Sequence, residues 1–250
     1  MNPGYALEIT VQTLDAALAA ERGGATRIEL CQELSVGGLT PTQHLMRLVR
    51  DRVKVPVFSM VRPREGDFAY SDLEFGAMKR DSARALQLRM SGVVFGVLTY
   101  DGKIDVARTR ELVEFARPLP VTFHRAFDAA LVAHGAVDPA DPAKFDSARL
   151  SEALEAVIET GANRILTSGG APSAPEGAAV LAELVRLADG RITILPGGGI
   201  NAANLPAVAK ATRAWEFHSG LSSTMPYELQ GNSSFEQGVR ELAAALAAVP

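Results

Sequence analysis

A single cysteine, Cys31, stands in a chain of 250 residues. That scarcity excludes an internal disulfide and any zinc cluster built from several cysteines, and it suits a reducing cytosol. Long apolar stretches are missing as well: no run approaches the roughly 18 residues that a membrane-crossing helix needs. The opening MNPGYALEIT has neither the basic nor the apolar segment of a secretory signal, so a cytoplasmic location is the expectation. Charge of one sign is also scarce. A net charge of −4 supplies no basic face for nucleic acid. Ser219, Ser222 and Ser223 lie in no G-x-S-x-G elbow, which argues against a serine hydrolase. Low-complexity segments and linkers are absent too, and this favours one domain over residues 1–250.

What the chain does have is eight short apolar runs, each ending in polar or charged residues. They are ALEITV from Ala6, RIELC from Arg27, VPVFSMVR from Val55, GVVFGVL from Gly92, PVTFHR from Pro120, NRILTSGG from Asn163, ITILPGGG from Ile192 and AWEFHS from Ala214. Segments rich in Ala, Leu and Arg with helical spacing separate them. Eight strand–helix units in one chain of this length predict an α/β fold, a (β/α)8 TIM-type barrel, with its reactive face at the C-terminal ends of the strands.

Local signals set the helix limits. Gly23-Gly24 stops a helix begun near Leu14, and Thr40-Pro41 reads as N-cap and N1 of a helix to Arg52. Ser71 and Glu74 form a capping box after RPREGDFAYSD, a charged loop long enough to fold over the barrel mouth. The stretch from Ala129 to Asp146, with its prolines and aspartates, reads as a loop. The Ser- and Gly-rich tail after the eighth strand reads as mobile, and a last helix spans about Phe235–Ala248.

Strand side chains alternate, so parity sorts them between lumen and helix layer. Arg27, Glu29 and Cys31 share one face, opposite Ile28 and Leu30. The same argument turns Glu8, Thr10, Phe58, Met60, Arg62, Thr122, His124, Glu216 and His218 inward. Isolated buried charges are costly, so the set is either an ion-pair network that closes the barrel or a site for a ligand. In the second reading His124 and His218 are an acid–base pair, Glu29 a basic or orienting carboxylate, and Arg62 an anion clamp. Arg64 joins the anion clamp, unless both arginines pair with Glu29, Glu65 or Asp67.

Glycine-rich turns follow two strands. Thr167, Ser168, Gly169 and Gly170 come after the sixth, and Gly197, Gly198 and Gly199 after the seventh. Such turns let backbone N–H groups approach an anion, although barrels place phosphate more often after strands seven and eight. They are read as holding the tail of a small phosphorylated or carboxylated molecule, or else as tight turns. Cys31 and Met60, on neighbouring strands, offer the soft ligands that Cu(I) prefers. The plainer reading is a small buried cysteine.

Taken in order, RIELC with GGLTP, then RPREGDFAYSD, VTFHRAFD, RILTSGG, PGGGI and EFHS, resemble the CutC family of copper homeostasis proteins. The resemblance implies a TIM-type barrel, a cytosolic location, a homodimer or larger homo-oligomer, and Cu(I) binding. Three departures stand out. Threonine occupies position 10, where an E-x-C pattern is frequent, so a cysteine pair across strands one and two cannot form. Glu65 replaces the glycine of RPRGGDF, and the 129–146 loop is longer than usual.

Overall fold

The computed structural model describes residues 4–221 and 231–249. Eight parallel strands alternate with helices along the chain: β1 Ala6–Val11, α1 Leu14–Gly23, β2 Arg27–Leu30, α2 Gln43–Arg52, β3 Val57–Met60, α3 Asp72–Gln87, β4 Gly92–Phe95, α4 Val106–Ala116, β5 Val121–Phe123, α5 Ala126–Ala133, α6 Ser147–Thr160, β6 Arg164–Thr167, α7 Ala178–Ala188, β7 Thr193–Pro196, α8 Leu205–Thr212, β8 Glu216–Ser219 and α9 Ser233–Ala247. The strands run in the order β7-β6-β5-β4-β3-β2-β1-β8, and β7 packs against β8 to complete the ring. No described helix is long and apolar enough to cross a membrane.

Six of the nine described α-helices begin where a side chain satisfies orphan N–H groups. Thr13 accepts from Ala16 N, Asp146 from Ala148 N and Arg149 N, and Ser71 with Glu74 makes the expected reciprocal box. Gly24 closes α1 at φ 101°, a conformation that a Cβ would oppose. Ala16, Ala17, Ala19 and Ala20 are buried on α1, whose small side chains let α9 come close.

Two local expectations fail. The cap of α2 is Thr42, not Thr40, because the Thr40 hydroxyl is taken by the backbone of Arg62: it receives Arg62 N at 2.9 Å and donates to Arg62 O at 3.1 Å. The stretch after Ala129 is not wholly loop, since AFDAALVA carries no helix breaker and forms α5 up to Ala133. A loop closed by a Val137–Phe145 bridge then runs to α6. The tail read as mobile, including Ser222 and Ser223, lies outside the described residues.

The apolar side of every strand packs on the helices, through Leu7, Ile9, Ile28, Leu30, Val57, Phe123 and Phe217. The lumen side carries the polar set. Gly92 makes room there, because a Cβ at that position would lie 2.5 Å from the Phe58 ring.

Candidate active site at the barrel mouth

The lower lumen, built from the first residues of the strands, is an ion-pair floor. Register sets Glu8 beside Arg27 on one side and His218 on the other. Arg27 Nε bonds Glu8 Oε2, and its Nη2 reaches Glu216 Oε2 at 2.6 Å. Arg164 Nε meets the same Glu216 oxygen at 2.9 Å. The guanidiniums of Arg27 and Arg164 both lie over the Phe58 ring, 5.3 and 5.2 Å from its centre. Burial would raise the Glu8 carboxyl, but Arg27 and His218 outweigh it and hold it down at about 2. Burial opposes the charge on Arg27 as well, and Glu8 and Glu216 overcome it and raise its pKa. Arg164 had not been singled out by parity, yet RILT alternates like the other strands and could have marked it.

Above the floor a chain of hydrogen bonds climbs toward the mouth. His218 Nδ1 lies 2.7 Å from Glu8 Oε1, and its Nε2 2.8 Å from the Thr10 hydroxyl. Thr10 donates in turn to Glu29 Oε1 at 3.2 Å. With the Thr10 proton given to Glu29, the His218 Nε2 contact suits a donating ring nitrogen. Burial lowers the His218 pKa, but the Glu29 charge and the bond to Glu8 prevail and raise it. Burial, reinforced by the Glu8 charge, pushes Glu29 up to about 7, with His218, Thr10 and Arg27 pulling against it. Glu29 Oε2 is buried and has no hydrogen-bond partner.

Glu29 and His218 line a cavity of about 610 Å³ at the C-terminal ends of the strands, together with Arg62, Phe68, His124 and Arg125. His124 Nδ1 accepts from Ala126 N at 3.3 Å, so the ring proton sits on Nε2, a buried atom without a partner. Burial and then the Arg62 charge push the His124 pKa down to about 3. His124 is therefore a neutral donor, and His218 a ring tied to Glu8 in the floor, with its pKa raised. They are not an interchangeable acid–base pair. Phe68, from the RPREGDF loop, stands edge-on to His124 at 4.8 Å and under Arg62 at 4.9 Å, so that loop does fold over the mouth.

The arginines read as clamps are occupied. Arg62 gives Nη1 to the carbonyls of Val36 and Gly38 and Nη2 to that of Gly66, holding two loops together, and only its Nε is left without a partner. Arg64 pairs with Asp67 and Glu74, donates to three backbone carbonyls of its own loop, and is not a wall of the cavity.

The glycine turn after β6 already holds an anion, and it is internal. Asp128 on α5 accepts from the Thr167 hydroxyl at 2.5 Å, from Gly170 N at 2.8 Å and from Ser168 N at 3.1 Å, while Gly169 N donates to Thr167 Oγ1. This filled nest overturns the reading of Thr167–Gly170 as a site for an outside ligand. The turn after β7 differs. Gly197 N is spent on Thr167 O, but Gly198 and Gly199, at φ 98° and 70°, face the cavity. Beside them is Arg125, whose Nε binds Asp128 at 2.7 Å and Nη2 binds Ser168 Oγ at 2.7 Å, leaving Nη1 at the Gly198 turn. Arg125 and Asp128 were missed because their partners lie on another unit, although VTFHRAFD contains both.

Cys31 and Met60 do meet, both packing against Gly38 within a small apolar cluster that includes Phe58 and Val94. Burial, aided by the Glu29 charge, pushes the Cys31 thiol well up and keeps it protonated. Among the described residues its neighbours supply no third soft donor. Glu8, Glu29 and His218 each place a ligand atom within 4.8 Å of the others, close enough to hold a metal ion. Oxygen-rich donors suit harder ions than Cu(I), and both His218 nitrogens are committed. The residues fit Cu(I) poorly.

A closed ring of eight parallel strands with a polar cavity at their C-terminal ends defines a TIM-type (β/α)8 barrel of the kind that carries small-molecule sites. The CutC family model matches residues 5–223, and this chain belongs to that family. It is 43% identical over 241 residues to a family protein CutC of Chromobacterium violaceum, covering 95% of this chain and 91% of the relative. It is 43% identical over 236 residues to the human copper homeostasis protein cutC homolog, covering 94% of this chain and 80% of that one. A solved copper homeostasis protein CutC from Streptococcus agalactiae superposes with a TM-score of 0.76 at 28% identity, over 86% of this chain and 98% of that chain. An N-(5'-phosphoribosyl)anthranilate isomerase from Pyrococcus furiosus shares the fold alone, with a TM-score of 0.63 at 14% identity over 98% of this chain and 100% of that one.

Proposed function

We propose that this CutC-family barrel binds and acts on a small anionic metabolite in the cavity at its mouth. One observation carries the reading: three buried polar side-chain atoms without partners, Glu29 Oε2, His124 Nε2 and Arg62 Nε, belong to residues that line this single cavity. Buried polar atoms are rarely left unpaired, and a ligand that pairs them recovers the penalty. Arg125 Nη1 and the Gly198–Gly199 turn form the wall suited to the anionic end. The buried single cysteine suits a cytosolic setting.

Copper binding is the second reading, favoured by the packing of Cys31 Sγ and Met60 Cε against the same glycine. A thermal-shift comparison of the reduced, metal-free protein separates the two, because a ligand of the native state raises Tm by mass action. The metabolite reading expects stabilisation by phosphorylated or carboxylated compounds that Arg125→Met abolishes. A shift with Cu(I) alone, lost in Cys31→Ser, overturns it.

A further inference from the structure

The partnerless buried atoms of the cavity's lining residues differ in kind, and the difference points to a class of reaction. Glu29 Oε2 is a carboxylate acceptor on β2. His124 Nε2–H is a neutral donor just after β5, three strands around the ring. A buried acceptor and a buried donor, on residues lining opposite sides of one cavity, suit a carbonyl group and the C–H beside it. We propose that the cavity catalyses proton transfer at the carbon adjacent to a carbonyl, in a small anionic aldehyde, ketone or α-hydroxy-carbonyl compound, with Glu29 as base and His124 as hydrogen-bond donor to the carbonyl oxygen. This rests on the metabolite reading and deepens it.

The step balances without a cofactor. Glu29 takes the proton, the C–H electron pair becomes a C=C bond, and the carbonyl π pair moves onto oxygen, where His124 Nε2–H stabilises it. Return of the proton to the same carbon gives exchange or epimerisation. For an α-hydroxy-carbonyl compound, its return to the neighbouring carbon, with the hydroxyl proton passing to the first oxygen, moves the carbonyl along the chain. Nothing is oxidised or reduced overall.

Three surrounding features agree with these roles. The Nδ1 bond from Ala126 N fixes the donor tautomer of His124, and burial together with the Arg62 charge keeps the ring neutral. A neutral imidazole donates without first surrendering a full charge, as an electrophile for a forming enolate should. The base is held from behind by Thr10, itself bonded to His218 on the anchored floor, so Glu29 Oε1 is fixed and Oε2 is the free oxygen. Burial lifts Glu29 to about 7, which gives it the proton affinity that carbon acids demand near neutral pH.

The test incubates the protein in D2O with a panel of phosphorylated and carboxylated α-hydroxy-carbonyl compounds of three to seven carbons, and follows loss of the α C–H signal by proton NMR. Thermal shift of each compound is measured alongside. The expected result is exchange with at least one stabilising compound, slowed 100-fold or more by Glu29→Gln and 10-fold or more by His124→Gln, with Glu29→Gln still stabilised by that compound. Stabilising compounds that show no exchange overturn the proton transfer and leave metabolite binding standing. No stabilisation by any compound overturns both. A second measurement needs no substrate: nitrogen-15 NMR of His124 is expected to show a neutral Nε2–H ring from pH 5 to 8, and an imidazolium at pH 7 removes the proposed donor.

Discussion

The floor and the mouth of this barrel are built from the same residue types and obey opposite rules. In the floor, buried Glu8, Arg27 and Glu216 and the partly buried Arg164 are joined by ion pairs, with only Arg164 Nη1 left without a partner. At the mouth, Glu29, Arg62 and His124 are equally buried, and each keeps an atom that nothing satisfies. Burial alone therefore does not mark a functional residue in this protein. What separates the regions is whether the neighbouring strand supplies a counter-charge. Register puts Arg27 against Glu8 but puts Thr10, a neutral hydroxyl, against Glu29. The first carboxyl falls to about 2, and the second climbs to about 7.

The strongest way to break this contrast is to remove the floor's central cation. Arg27→Met leaves Glu8 and Glu216 buried without it and is expected to cost about 3–5 kcal/mol in urea unfolding. A cost below about 1 kcal/mol would mean that the floor is as loosely paired as the mouth. Next comes the internal anion. Asp128→Asn sets an amide against Ser168 N and Gly170 N and is expected to cost about 1–3 kcal/mol by the same measurement.

The pH dependence of unfolding sharpens the contrast further. His124 has a folded value of about 3 against 6.5 for an ordinary histidine, so below 6.5 the unfolded chain takes up the proton first. Its contribution is full above pH 6.5 and is lost at about 1.4 kcal/mol per pH unit as pH falls toward 3. Glu29 acts in reverse: with a folded value of about 7 against 4.5, its contribution is full below pH 4.5 and is lost as pH rises through 7. The two mouth groups thus confine stability from both sides. Stability curves from pH 4 to 9 should lose part of their acid limb in His124→Gln and part of their alkaline limb in Glu29→Gln. Superimposable curves would show that the mouth is hydrated like a surface. The smallest effect is expected outside both regions: Arg64→Ala should cost less than about 1 kcal/mol, since its ion pairs are exposed to solvent.

The barrel was legible because strand alternation and glycine stops are local signals, readable wherever apolar and polar residues take turns, as in RIEL and EFHS. The lumenal position of Glu29, His124 and His218 followed from the same parity. Their distinct roles did not, because protonation depends on burial and on which residue lies nearby: Glu29 and Glu8 raise the pKa of His218 against its burial, while burial and the Arg62 charge lower that of His124. The glycine turn after β6 was legible as an anion nest, but its occupant, Asp128, comes from a helix that had been read mainly as loop. Thr40 failed as a helix cap for a similar reason, since its hydroxyl is claimed by Arg62 from another unit. Short-range chemistry could be read from the chain, and competition for partners could not.

The packing of Phe58 with Arg27 and Arg164 has a consequence for traffic through the molecule. An aromatic ring within reach of two guanidiniums, which are themselves tethered to Glu8 and Glu216, fills the barrel axis below the cavity with side chains held in place. The vessel is blind-ended. Whatever occupies it must enter and leave by the same opening, past Phe68 and the RPREGDF loop, so departure of one molecule has to precede arrival of the next.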